Sequence, residues 1–309
     1  MRIIALVVAY NRQDLLTHTL DALAAQTRPP DAVLVIDNAS SDASGAVAAN
    51  HPVAATVITL TRNTGGAGGF AAGLAHATLS MQAEAIWLMD DDTVPTPRAL
   101  QALEQAWQAY PGRLALACSK VVWTDGRDHP MNTPRTRLWP GRKRWQRAKA
   151  IGARPIRTGS FVSMLVAARC VEQFGLPKAD YFIWNDDFEY SARLSRRGEA
   201  VFVPDSVSEH HTARPAGAAD SPGDRFYFDV RNKIWTLWWG GVFGPVEGAA
   251  YLAYSLWGWR RVLVKAEERP KAVKLLVKGL ADGLKRPPRP TARVLGALGE
   301  ISQQVARLG

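Results

Sequence analysis

Residues 3–42, IIALVVAYNRQDLLTHTLDALAAQTRPPDAVLVIDNASSD, contain the opening unit of the fold. Residues 3–8 form an unbroken apolar run rich in β-branched side chains, the pattern of a strand buried on both faces. Apolar positions recur with a helical period over 15–25, and 33–36 is a second β-rich run. Strand, helix and strand in that order predict a βαβ unit, and hence a parallel sheet covered on both sides. The apolar run ending at Ala9 is too short for a signal-peptide core with a cleavage site, so it is read as the first strand.

Working outward, residues 57–60 and 85–89 supply further short strands, and the Ala-rich segment 70–79 between them reads as helix. Order resumes over 161–168 after a basic stretch, and 200–203 forms a last short strand. Between 125 and 149 Arg, Lys, Pro and Trp occur with little periodicity, predicting a long, mobile, basic loop able to cover a site. The expected architecture is a doubly wound, mostly parallel α/β domain over residues 1–231, with a helical, basic and aromatic extension over 232–309. In such sheets ligands sit beyond the carboxyl ends of the strands, where each polar cluster described below falls.

The formal charge of +10 is uneven, because residues 260–309 carry twelve Lys or Arg against four Asp or Glu. That balance suits an anionic partner such as a membrane surface, a nucleic acid or a diphosphate-bearing substrate. Residues 234–259 hold one charge, Glu247, and are dense in Trp, but Gly240, Gly241, Gly244 and Pro245 interrupt them. Trp prefers the headgroup zone, so the expectation is a helix pair lying in the membrane interface, with a buried hairpin as the alternative. The two cysteines, Cys118 and Cys170, form neither a disulfide framework nor a zinc site, which fits a reducing cytoplasmic setting.

Three adjacent carboxylates, Asp90, Asp91 and Asp92, follow the strand ending at Met89. They repel one another unless a positive charge sits among them, and a divalent cation such as Mg2+ or Mn2+, completed by substrate phosphates, meets that need. The stretch NTGGAGGF at 63–70 is neither a Walker loop nor GxGxxG; its paired glycines, Gly65 and Gly66 among them, let backbone approach a ligand. Arg62 precedes it as a candidate phosphate partner, and Asp37 is suited to accept a hydrogen bond from a base or ribose. A second cluster, Trp184, Asn185, Asp186 and Asp187, opens a helical pattern, where the dipole favours ionised carboxylates suited to general-base work. His210 and His211 follow within reach of a metal shell.

At these residues the chain resembles the family-two glycosyltransferases, inverting enzymes with the GT-A fold, over its first 230 or so positions. VVAYNR, VIDNASSD, NTGGAGGF, LMDDD and WNDDFEY occur in the family's order, and look most like the galactofuranosyltransferase and rhamnosyltransferase branch that builds bacterial cell-surface polysaccharides. The resemblance implies that Ala9, Tyr10, Arg12 and Asp37 cradle the nucleotide, with Arg62, Asn63, Gly65, Gly66, Asp90 and Asp91 beside it. Asp90 and Asp92 match the DxD motif, the late metal histidine falls on His210 or His211, and Asp187 matches the catalytic base. Trp184 and Asp186 would meet the acceptor. RFYFDVRN at 225–232 resembles a segment preceding membrane-meeting helices, implying a lipid-linked glycan acceptor and a peripheral place on the cytoplasmic face of the inner membrane. Asn185 and the basic stretch near 142–147 depart from the common pattern and bear on acceptor identity. The rivals are a non-catalytic membrane-surface binding protein on the same fold and a sugar nucleotidyltransferase. The latter would need a glycine-rich basic loop where this chain has AYNR. No nucleic-acid recognition motif occurs, so a nucleic-acid partner is not expected.

Overall fold

The computed structural model describes residues 1–137, 139–213 and 223–309. Strand β1 (Ile3–Ala9) leads into α1 (Gln13–Ala24), β2 (Ala32–Asp37), α2 (Ser44–Asn50), β3 (Thr56–Thr59), α3 (Gly65–Leu79) and β4 (Ala85–Asp90). These four strands are all parallel, in the order β3, β2, β1, β4. Side chains of β1 alternate between two cores, as the pleat requires: Ile4, Leu6 and Val8 face α3, while Ile3, Ala5 and Val7 face α1.

Beyond β4 the chain forms β5 (Thr93–Pro95), α4 (Ala99–Ala109), β6 (Leu114–Val122), β7 (Arg135–Thr136), α5 (Arg142–Ala150) and β8 (Arg154–Thr158). Then follow β9 (Met164–Ala167), α6 (Ala168–Phe174), α7 (Asp186–Arg197) and β10 (Glu199–His210). Here the expectation of a mostly parallel sheet needs correction. Strand β9 lies antiparallel between β4 and β6, and β5 and β8 run antiparallel to β10, so the sheet is mixed. Antiparallel strands need no helical crossover, and the strand–helix alternation read in the sequence cannot reveal them.

The basic stretch expected to be a mobile loop contains helix α5, whose Ala148 is buried and whose Arg147 pairs with Glu199 at 2.8 Å. The glycine-rich stretch, whose paired glycines are expected to admit a ligand, is from Gly65 onward the start of α3. A Cβ at Gly69 would lie 2.5 Å from Val8 Cγ1, and one at Gly73 2.3 Å from Leu6 Cδ1. These two glycines serve close packing of helix on strand.

The remaining helices are α8 (Phe226–Trp238), α9 (Pro245–Lys265), α10 (Arg269–Lys285), α11 (Thr291–Val294) and α12 (Glu300–Leu308). The chain breaks after Trp238 and restarts at Pro245, as the interrupting glycines predict. The boundary expected at 231/232 falls inside α8, because Arg231 and Asn232 point into the α/β unit rather than out of it. Helix α12 also returns to that unit. Leu298, Ile301 and Val305 join the core around α3, and Gln304 bonds Ser80 Oγ at 2.8 Å. Among the described residues no helix is long and apolar enough to cross a membrane.

Replacing Gly69 with Val should destabilise the fold by about 1–3 kcal/mol, since β-branched Val8 has little freedom to yield. A lowered urea midpoint at unchanged slope would show it; an unchanged midpoint would refute tight packing here.

Candidate active site

The parallel strands end together. Ala9 lies opposite Asp37, and Val8 opposite Asp90, so the carboxyl ends of β1, β2 and β4 face one cleft of about 800 Å³. Asp90, Asp91 and Asp92 line it as β4 turns into β5. The short strand β5 pairs Thr93 with His210, which sets the last residue of β10 beside Asp92. Asp90, Asp92 and His210 each offer a ligand atom, all within 4.8 Å of one another.

The imidazole's second nitrogen explains what this group needs. His210 Nδ1 lies 2.8 Å from Asn132 Oδ1, while the same amide's Nδ2 donates to Ser160 Oγ. Asn132 therefore accepts the Nδ1 proton, and in the neutral ring Nε2 carries a lone pair. That lone pair faces Asp92 Oδ1 at 3.0 Å. Two acceptors at this distance require a proton or a cation between them. Two carboxylates and an imidazole form a donor set that fits Mg2+ or Mn2+, with room in the cleft for further oxygen ligands. His211 does not share the site: its Nε2 turns to Glu209 at 2.9 Å, which removes it as the alternative ligand.

Arg12 supplies the fixed positive charge of the cluster. Its Nη1 reaches Asp91 Oδ1 at 3.2 Å and also contacts Asp92 Oδ2. Asp91 additionally accepts the Tyr10 amide at 2.8 Å, so its carboxylate ties the end of β1 to the end of β4. Burial pushes the Asp90 carboxyl up, and the charges of Asp92 and Asp91 add to this. Burial likewise pushes Asp91 up to about 6 against the opposing charge of Arg12. Burial also opposes ionisation of Asp92, but when the proton sits on Nε2 the hydrogen bond and charge of His210, together with Arg12, outweigh it and hold this carboxyl below its usual range.

Across the cleft stand Trp184, Asp186 and Asp187. The two acids open α7, preceded by a loop in which Phe182, Trp184 and Asn185 all have positive φ, at 66°, 65° and 62°. Non-glycine residues hold that conformation only where the surroundings impose it. Helix α8 imposes it: Asn232 Nδ2 lies 2.9 Å from the carbonyls of Tyr181 and Ile183 and 2.8 Å from that of Trp184. Arg231 holds the carbonyls of Asp180 and Tyr181 at 2.8 and 3.1 Å. Burial pushes Asp187 up to about 6, with backbone N–H groups of Phe188 and Phe161 opposing it. Asp186 rises further, through burial and then the charge of Asp187.

Tyr10, Arg12, Asn38, Asn63, Gly65 and Gly66 form a further part of the cleft wall, where the donor is expected. Gly65 has φ +71°, and a Cβ there would sit 2.0 Å from the Phe182 carbonyl oxygen, so this glycine joins α3 to the loop before α7. Gly66 has open space where a side chain would be and is the one of the pair suited to ligand approach. Asn38 fixes this turn by accepting from Thr64 N at 2.8 Å and donating to Gly65 O at 2.9 Å.

Three expected donor residues stand elsewhere. Ala9 is buried in the opposite core. Asp37 is buried with Oδ1 accepting from Ser40 N, and lies behind Asn38 rather than on the cleft wall. Arg62 turns away to the carbonyls of Val294 and Gly296, because the returning C-terminal segment passes beside it. Asn38, Asn132 and Asn232 are site residues that sequence reasoning does not reach. A single Asn carries no periodic or charge signal, and each acts on a partner distant in sequence.

A sequence profile described as Glycosyl transferase family 2 matches residues 4–168, more than half of the chain. The chain belongs to this family. This family-two glycosyltransferase is 32% identical over 253 residues to galactofuranosyltransferase GlfT1 of Mycobacterium tuberculosis, a match covering 76% of this chain and 82% of that one. It is 31% identical over 210 residues to galactofuranosyltransferase GlfT1 of Mycolicibacterium smegmatis, covering 63% and 65%. Among solved structures it is similar to S. aureus TarS 1-349, with TM-score 0.61 and 15% identity over 99% of this chain and 88% of that one. It is also similar to mannosyltransferase PcManGT from Pyrobaculum calidifontis, solved with GDP-Man and Mn2+, with TM-score 0.55 and 19% identity over 99% and 84%. These likenesses agree with the GT-A arrangement of the sheet.

The raised Asp90 and Asp91 carboxyls mean that the folded chain holds these protons more tightly than the unfolded one. The contribution of Asp91 is therefore lost as pH rises from about 4 through about 6, and that of Asp90 as pH rises above the ordinary carboxylate range. Mn2+ at about a hundredfold over its Kd at pH 7.5 should raise Tm by about 4 °C at that pH, much less at pH 5, and not at all in Asp92→Asn. An equal shift at both pH values, or in the variant, would refute the site. Asn232→Ala should lower kcat by about 10²-fold through misplacement of the α7 acids, while donor affinity stays within about twofold. Equal losses in kcat and donor affinity would show that Asn232 does not act through that loop.

Proposed function

We propose that this glycosyltransferase moves galactofuranose, with inversion, from a uridine diphosphate donor to a hydroxyl of a lipid-linked cell-surface glycan. The observation that carries the reading is that the Asp90, Asp92 and His210 group and the Asp186, Asp187 pair face each other across one cleft. Galactofuranose is preferred to rhamnose because the curated relatives are named for galactofuranosyl transfer. Mn2+ or Mg2+ is the proposed cofactor, supported by the donor set and by the similar fold of the mannosyltransferase solved with GDP-Man and Mn2+.

When bound, the cation neutralises the charge that develops on the leaving diphosphate. Arg12 stands beside the same carboxylates and limits their mutual repulsion while the donor is bound. Asp187 takes the proton of the acceptor hydroxyl as that oxygen attacks the anomeric carbon. The new glycosidic bond forms on the face opposite the departing nucleoside diphosphate, in a single displacement. Trp184 offers its ring to a sugar of the acceptor, and Asp186 offers a hydrogen-bonding group beside it. The exposed aromatic side chains of α9 at the mouth of the cleft support a lipid-linked acceptor and a peripheral place at the cytoplasmic face of the inner membrane.

Tested against UDP-galactofuranose, UDP-galactose, UDP-glucose and dTDP-rhamnose, the protein should release nucleotide from the first when given Mn2+ and a glycolipid acceptor. The base must be ionised to act, so kcat should rise with pH through an apparent pKa of about 6 and level off above it. Asp187→Asn should lose about 10²–10⁴-fold in kcat while keeping donor affinity. Transfer surviving in this variant, or a faster reaction with dTDP-rhamnose, would overturn the corresponding part of the reading.

A further inference from the structure

Large apolar side chains are exposed in one part of the molecule far more than elsewhere. Of the fifteen found exposed among the described residues, eleven lie between Trp238 and Leu284. On α9 they include Val246, Leu252, Leu256, Trp257 and Val264, with Val246 75% and Leu256 53% exposed. The only acidic side chain of α9, Glu247, is held by Arg157 at 2.7 Å. The outer face of this 21-residue helix is therefore apolar until Arg260.

Three residues separate α9 from α10, which exposes Val273, Val277 and Leu284 among Lys271, Lys274, Lys278 and Lys285. Residues 260–286 hold nine Lys or Arg against three Asp or Glu. Aromatic and aliphatic side chains beside lysines suit the headgroup layer of an anionic bilayer, where the rings sit at the interface and the amines meet phosphates. A second copy of the chain is a poorer occupant, because a symmetric pairing would bring the two cationic segments together. Tyr254 and Trp257 of α9 are exposed and also line the cleft, so the apolar face and the site share a wall.

We propose that the outer face of α9, flanked by the lysines of α10, docks on an anionic membrane surface, and that the cleft receives its acceptor from that side. The docking stands on the surface alone; the direction of acceptor entry rests on the transferase reading above. The docked helices lie along the surface, with Trp238 and Trp257 at headgroup depth.

Flotation of the full chain with vesicles tests this. The protein should float with phosphatidylcholine vesicles containing phosphatidylglycerol, less with phosphatidylcholine alone, and less as salt rises. The pair Leu252→Glu and Leu256→Glu should reduce the floated fraction about tenfold or more, and Lys274→Glu with Lys285→Glu should weaken binding to the anionic vesicles. Both pairs should retain the wild-type circular dichroism and the wild-type rate on a short water-soluble acceptor. Wild type left at the bottom with anionic vesicles, or the Leu pair floating as wild type does, would overturn the proposal. A dimer in sedimentation velocity that the Leu pair dissolves would also overturn it, by assigning the face to a second copy. Flotation without transfer from any donor would remove the transferase reading and leave the docking intact; transfer without flotation would do the reverse.

Discussion

Five carboxylates, Asp90, Asp91, Asp92, Asp186 and Asp187, are gathered into one cleft where burial penalises their charge, and the surrounding structure is organised around their repulsion. Burial and like charge both act against ionisation, so every ionised acid in the group needs a compensating partner. Arg12 meets Asp91 and Asp92 from the end of β1, the Tyr10 amide meets Asp91, and backbone N–H groups meet Asp187. His210 joins the candidate cation site because β5 pairs with β10 in a fixed register and because Asn132 occupies the other ring nitrogen. The cleft is thus held in a state that gains from a cation, which is what transfer from a diphosphate donor requires.

The opening βαβ unit and the two acidic clusters were legible because their signals are local. A continuous apolar run marks a strand buried on both faces, and consecutive aspartates stand out whatever surrounds them. What stayed hidden depends on contacts between distant segments. The Asn232 side chain acts on carbonyls about fifty positions earlier, and nothing in RFYFDVRN signals that. Gly69 reads as a ligand-approach glycine, whereas its use, with Gly73, is to seat α3 on Val8 and Leu6, a demand set by the neighbouring strand. Arg62 reads as a phosphate partner because the carbonyls it caps come from residues 294–296, far along the chain.

Helix α8 has a double place in this design. One side grips the strained turn before α7, and its end hands the chain to the exposed helix α9. The acids of α7 and the apolar surface are therefore fixed to the same rod, and the distance between the chemistry and any docked bilayer is set by the protein rather than by a linker. Arg157 reinforces this by joining α7, through Ala192 O and Ser195 Oγ, to Glu247 at the start of α9.

The return of α12 to α3 bears on how the molecule is made. Gln304 meets His76 across 228 positions, and Leu295, Leu298 and Ile301 cover a helix synthesised early. While the chain is still emerging, the outer side of α3 has no cover and offers a greasy surface to solvent and to other nascent chains. The core around α3 is therefore complete only when residues 295–305 have packed against it. Contacts between positions so far apart have a high contact order and form late, so the cover of α3 is among the last parts of this core to close.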